Sequence, residues 1–132
     1  MKKVLLVEDD PRVASAISIA LRAMGYEVLT ASDAVLAIAQ ARRGQPDVVV
    51  LDINLPGGDG FMVAQRLKNL AQTATVPIIV ITASKQTGMR ERAMEAGAMH
   101  FLEKPFGVTD LADAIEMAHS VVDTSMTDMQ IG

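Results

Sequence analysis

The chain of 132 residues has no cysteine, which excludes disulfides and thiolate metal sites. It has no tryptophan, one tyrosine and three phenylalanines, so aliphatic side chains must fill the core. The nine methionines read mainly as adaptable packing in such a core. Long apolar runs are also missing. The run Val4 to Val7 is shorter than the roughly 7–15 residues of a secretory signal. No segment approaches the ~20 apolar residues of a membrane-spanning helix. A cytoplasmic protein is therefore expected. Basic stretches are short: Lys2-Lys3 and Arg42-Arg43 are simple pairs, and the formal charge is −4. Such a balance gives no footprint for nucleic acid.

What is present fits one domain with one sizeable core. Short, mostly β-branched runs stand at Val4–Val7, Val48–Leu51 and Ile78–Ile81. Nearly continuous apolarity of this kind suits strands buried on both faces of a parallel sheet. Weaker strand candidates lie at Glu27–Ala31 and Met99–Leu102. Helical patterns fill the gaps. Val13, Ile17, Leu21 and Met24 share one helix face, with Asp10 as cap, Pro11 in the first turn and Gly25 at the end. A second helix runs from Asp33 to Arg43 with Gly44 after it. A third carries Val63, Leu67 and Leu70 behind the cap Asp59. A fourth is short, over 87–96. A fifth carries Leu111, Ile115, Ala118 and Val122 behind the cap Thr109. The order βα, five times over, predicts a parallel sheet with helices on both faces and right-handed crossovers. Residues 1–122 form the predicted domain, and 123–132 read as a flexible polar tail.

Ligands of open parallel sheets bind outside the carboxyl ends of the strands. Glu8, Asp9 and Asp10 follow the first predicted strand, Asp52 and Asn54 the third, Thr82 the fourth, and Lys104 with Pro105 the fifth. Clustered carboxylates repel unless a cation joins them or one pKa rises. An all-oxygen set with spare positions suits Mg²⁺ beside a phosphate. A carboxylate there can act as a nucleophile and form an acyl phosphate. The Lys104 ammonium and the Thr82 hydroxyl would then bind phosphoryl oxygens. Asp10, next to Pro11, reads as a helix cap rather than a ligand.

These residues resemble the motifs of response-regulator receiver domains. Val7-Glu8-Asp9-Asp10-Pro11 resembles their acidic opening, and Asp52 to Gly60 their phosphoacceptor loop. Ile81-Thr82-Ala83 is similar to the strand end with the hydroxyl, and Lys104-Pro105-Phe106 to the lysine–proline signature. The resemblance runs from about residue 2 to residue 121. It implies a flavodoxin-like, doubly wound (βα)5 three-layer sandwich of α/β class, with five parallel strands in the order 2-1-3-4-5. It implies that Asp52 accepts a phosphoryl group from a histidine kinase, a phosphotransfer protein or a small phosphodonor. Mg²⁺ (or Mn²⁺) would be bound by Asp9, Asp52 and the Asn54 backbone carbonyl, with Glu8 partly through water. Thr82 and Lys104 would hold the phosphoryl group, and the Lys104–Pro105 bond would be cis. Thr82 would shift toward the phosphoryl group and Phe101 would change rotamer inward. That movement would remodel the face of helix 4, strand 5 and helix 5 for a downstream protein or effector domain. Asn54 and Ser84 would flank the acceptor.

The family's DNA-binding subgroup usually has an acidic pair where Met99 and His100 stand, so its charged dimer is not implied. His100 reads as a surface residue, and His119 has no phosphotransfer context. Two other classes stay open: a receiver-shaped interaction module that takes no phosphate, and a metal-dependent phosphatase. The first usually loses the acceptor, an acid or the lysine, all of which stand here. The second usually has a second Asp where Asn54 stands, so it would lack its proton donor. The expected protein is thus a switch, not an enzyme with an external substrate.

Overall fold

The computed structural model describes residues 2–56 and 58–131, with side-chain positions as far as Ser120. Five strands form a parallel sheet: β1 Lys3–Val7, β2 Glu27–Ala31, β3 Val48–Asp52, β6 Ile78–Thr82 and β7 His100–Glu103. Between β3 and β6 lie two short strands, β4 Asn54–Leu55 and β5 Gly58–Asp59, which pair as a small antiparallel hairpin. The sheet order is β2-β1-β3-β6-β7. Counting the long strands alone gives the expected 2-1-3-4-5. The helices are α1 Pro11–Ala23, α2 Ala34–Gly44, α3 Gly60–Asn69, α4 Met89–Glu95 and α5 Val108–Ile131.

Residue alternation along the strands builds two cores. Leu5, Val7, Val49, Leu51, Ile78 and Val80 face one side, packed with Phe61, Leu67 and Ala93 from α3 and α4. Val4, Leu6, Val48, Val50, Ile79 and Ile81 face the other, packed with Ile17, Leu21, Leu111 and Ile115 from α1 and α5. With both faces covered, β1, β3 and β6 have no polar face to show, which is why they read as unbroken apolar runs.

Several boundaries differ from the sequence reading. Gly44 ends α2 from within, and the left-handed residue after it is Gln45, at φ 47°. A Cβ on Gly44 would sit 2.3 Å from Leu29 Cδ1, so this glycine permits close packing on β2 rather than a turn. Thr109 lies inside α5 instead of capping it, and the Gly107 N–H donates to Asp110 Oδ2 at 3.2 Å. The helix also continues through most of the predicted tail 123–132, as far as Ile131, while Gly132 lies outside the described residues. Among the described residues, no helix is long and apolar enough to cross a membrane.

Candidate functional site

All five strands point the same way, so their carboxyl ends share one edge. The chain winds to opposite sides of β1 and β3, and a crevice opens where the winding reverses. Glu8 and Asp9 follow β1 into that crevice, Asp52 ends β3, Thr82 ends β6, and Lys104 follows β7. Asp10 faces elsewhere. Its Oδ1 accepts from the Arg12 and Val13 N–H groups at 2.9 and 3.5 Å, so it is the cap of α1.

Carboxylate oxygens of Glu8, Asp9 and Asp52 lie within 4.8 Å of one another. Glu8 and Asp52 are buried, while Asp9 is exposed. Lys104 Nζ donates to Glu8 Oε1 at 2.5 Å and to Asp52 Oδ2 at 2.8 Å. Its one positive charge therefore serves two buried carboxylates. The shortage of cation shows in Glu8, whose carboxyl is pushed up to about 7 by burial first and by the adjacent Asp52 second. Lys104 is raised: burial opposes its charge, but the bonds to Asp52 and Glu8 outweigh that. Hard oxygen donors short of positive charge fit a divalent cation such as Mg²⁺.

Neighbouring backbone fixes the remaining groups. The Asn54 N–H donates to Asp52 Oδ1 at 2.9 Å, and the Ser84 N–H donates to Thr82 Oγ1 at 3.0 Å. Thr82 is fully buried. The Lys104 N–H donates to the Thr82 carbonyl at 2.7 Å, which registers the lysine against the hydroxyl. The Lys104–Pro105 peptide bond is cis. Phe101 already points inward, only 6% exposed, with the Arg90 guanidinium 5.2 Å from its ring centroid.

Sequence reasoning placed Lys104 against phosphoryl oxygens and did not foresee that it donates hydrogen bonds to two carboxylates. It also passed over Arg90 and Arg92, whose ring contacts depend on approach in space. Arg92 lies over the Phe61 ring at 4.3 Å and 3.7 Å from Asp59 Oδ2. The roomiest cleft among those described, about 690 Å³ between α2 and α3, holds none of the clustered groups and offers no comparable chemistry.

The sequence matches the response regulator receiver domain family over residues 4–116, and the chain belongs to that family. It is a receiver domain of the kind found in two-component response regulators. Two curated relatives are each 38% identical. One is the DNA-binding dual master transcriptional regulator RpaA of Synechocystis sp., matched over 84% of this chain and 46% of that protein. The other is the transcriptional regulatory protein PdtaR of Mycobacterium tuberculosis, matched over 90% of this chain and 57% of that protein. The chain thus spans about half the length of these relatives. Among solved structures, a response regulator of Chloroflexus aurantiacus superposes with a TM-score of 0.86 at 33% identity, covering 90% of this chain and 98% of that one. The receiver domain of the sensor histidine kinase PA1611 of Pseudomonas aeruginosa gives 0.83 at 32% identity, with the same coverage. That structure has magnesium coordinated in its active-site cleft.

Proposed function

We propose that Asp52 is a phosphoacceptor and that its phosphorylation switches the surface of this receiver. The observation that carries the reading is the Asp52 carboxylate, buried at the end of a central strand, 2.8 Å from Lys104 Nζ and clustered with Glu8 and Asp9. An oxygen of Asp52 attacks phosphorus. The bond from phosphorus to the donor breaks, and its electron pair leaves with the donor group. The donor is the phosphohistidine of a kinase or phosphotransfer protein, or a small phosphodonor. Glu8, Asp9, Asp52 and the Asn54 carbonyl would hold Mg²⁺ (or Mn²⁺), which supplies positive charge to the phosphoryl oxygens when bound. Lys104 then exchanges one carboxylate for a phosphoryl oxygen. Thr82, whose hydroxyl accepts from Ser84, turns to donate to another.

The switch follows from the same groups. A new dianion draws Thr82, and β6 and β7 are adjacent, with Val80 opposite Phe101 and Thr82 opposite Glu103. Phe101 lies under Arg90 of α4, so displacement at Thr82 reaches the face of α4, β7 and α5. That face would meet a downstream protein or an effector domain. The receiver unit is taken as residues 1–122, acting in the cytoplasm and on no external substrate. Intact-protein mass after incubation with acetyl phosphate, with and without Mg²⁺, tests this directly. One Mg²⁺-dependent phosphoryl adduct is expected, and it should be absent from Asp52→Asn. No adduct under conditions that label another receiver would make the chain a phosphate-independent interaction module.

A further inference from the structure

A second cleft, about 480 Å³, opens beside the acceptor between the loop after β3 and the start of α4. Asn54, Ser84, Gln86 and Arg92 line it, along with Phe61 and Met89. Two of these residues belong to both places. Asn54 donates its N–H to Asp52, and Ser84 donates its N–H to Thr82. Through these two residues the cleft adjoins the edge where a phosphoryl group would sit.

The cation in this cleft is held in an unusual state. The Arg92 guanidinium carbon lies over the Phe61 ring, 4.3 Å from its centroid. Such a contact draws the guanidinium toward the ring and does not use up its N–H donors. Among the described residues, those N–H groups make no hydrogen bond; the nearest anion, Asp59 Oδ2, is 3.7 Å away. Asp59 pairs with Arg92 loosely through Oδ2 alone, at an ion-pair distance longer than a hydrogen bond, while its Oδ1 accepts the Phe61 N–H at 2.8 Å as the cap of α3. A planar guanidinium edge with open donors is matched by a carboxylate, which it can bind with two parallel bonds.

The geometry points to this cleft as the leaving-group site for small acyl phosphate donors, with Arg92 binding the departing carboxylate. The inference rests on Asp52 being the acceptor. In the transfer, an oxygen of Asp52 bonds to phosphorus. The bond from phosphorus to the donor's acyl oxygen breaks, and its electron pair leaves on the carboxylate. No proton and no redox partner is needed. Charge grows on the leaving carboxylate as the bond breaks, so a cation beside it favours the transition state over the bound donor. A donor that releases a nitrogen base leaves no carboxylate for Arg92 to bind.

The test compares initial rates of Asp52 labelling by acetyl phosphate, which releases acetate, and phosphoramidate, which releases ammonia. Parent, Arg92→Gln and Arg92→Lys are measured at saturating Mg²⁺ and one ionic strength. The ratio of the acetyl phosphate rate to the phosphoramidate rate should fall about fivefold in Arg92→Gln, the size of one solvent-screened charged hydrogen bond. Arg92→Lys keeps the charge but not the fork, and its ratio should lie between. An unchanged ratio in both variants, whether the two donors slow together or neither slows, overturns the assignment. A parent that neither donor labels overturns the acceptor reading itself, which separates the two failures.

Discussion

Lys104 reaches two buried carboxylates, and a single ammonium neutralises only one of them. The excess falls on Glu8. Its carboxyl has an ordinary value of 4.5 and is pushed up to about 7, mostly by burial. The folded protein therefore keeps a proton that the unfolded chain releases. A raised folded pKa means stability that is full below about 4.5 and is lost as pH rises through about 7. With metal chelated, the loss between pH 5 and pH 8 should be about 3 kcal/mol, read from urea denaturation at the two pH values. Glu8→Gln should flatten most of that slope. A slope of equal size in Glu8→Gln would mean that another group carries it. The same arithmetic explains why the cluster was only half legible. Acids at the strand ends could be read from position, but the sharing of one lysine between residues 8 and 52 depends on approach in space.

At the scale of elements, α3 shows how tightly the acceptor loop is built. Gly60 opens that helix, and a Cβ placed on it would lie 2.3 Å from Ile53 Cα and 2.9 Å from the Asp52 carbonyl oxygen. Both obstacles are backbone, so no side chain can swing aside. Gly60→Ala should cost about 2 kcal/mol in a urea melt, as overpacking of a dense interior does. It should also slow phosphoryl labelling, because the atoms displaced belong to Asp52 and its successor. Full stability with normal labelling in Gly60→Ala would show that the loop yields. The long elements were legible because each obeys a period. β1, β3 and β6 are buried on both faces and read as apolar runs, and α1 carries its cap and its face in plain order. The hairpin of β4 and β5 was missed because two-residue strands have no period to show. Gly44 and Thr109 misled because glycine after a helix and threonine before one usually mark its ends. Here Gly44 makes room for Leu29, and α5 starts one residue earlier.

For the whole molecule, the two apolar layers set a high background of stability, and the acidic crevice subtracts from it. Three carboxylates gathered within 4.8 Å with one lysine among them form a site that folding alone leaves under-neutralised. Anything that binds the folded crevice and not the unfolded chain must raise the melting temperature by mass action. Mg²⁺ at about a hundred times its dissociation constant adds about 2.7 kcal/mol, a rise of several degrees for a domain of this size. Replacing Asp52 with Asn removes one of the repelling charges, so Asp52→Asn should melt higher than the parent in chelator. The same change removes a ligand, so Asp52→Asn should gain less from Mg²⁺, and the two melting curves should converge or cross as the ion is added. The pH slope assigned to Glu8 should flatten in the parent under Mg²⁺, since a bound dication favours the ionised carboxyl. Calorimetry of both proteins across a Mg²⁺ titration, at pH 5 and pH 8, reads all of these at once. If Mg²⁺ leaves the parent unchanged at pH 8, above the Glu8 value of about 7, the crevice is a set of paired acids held by Lys104 and not a metal centre.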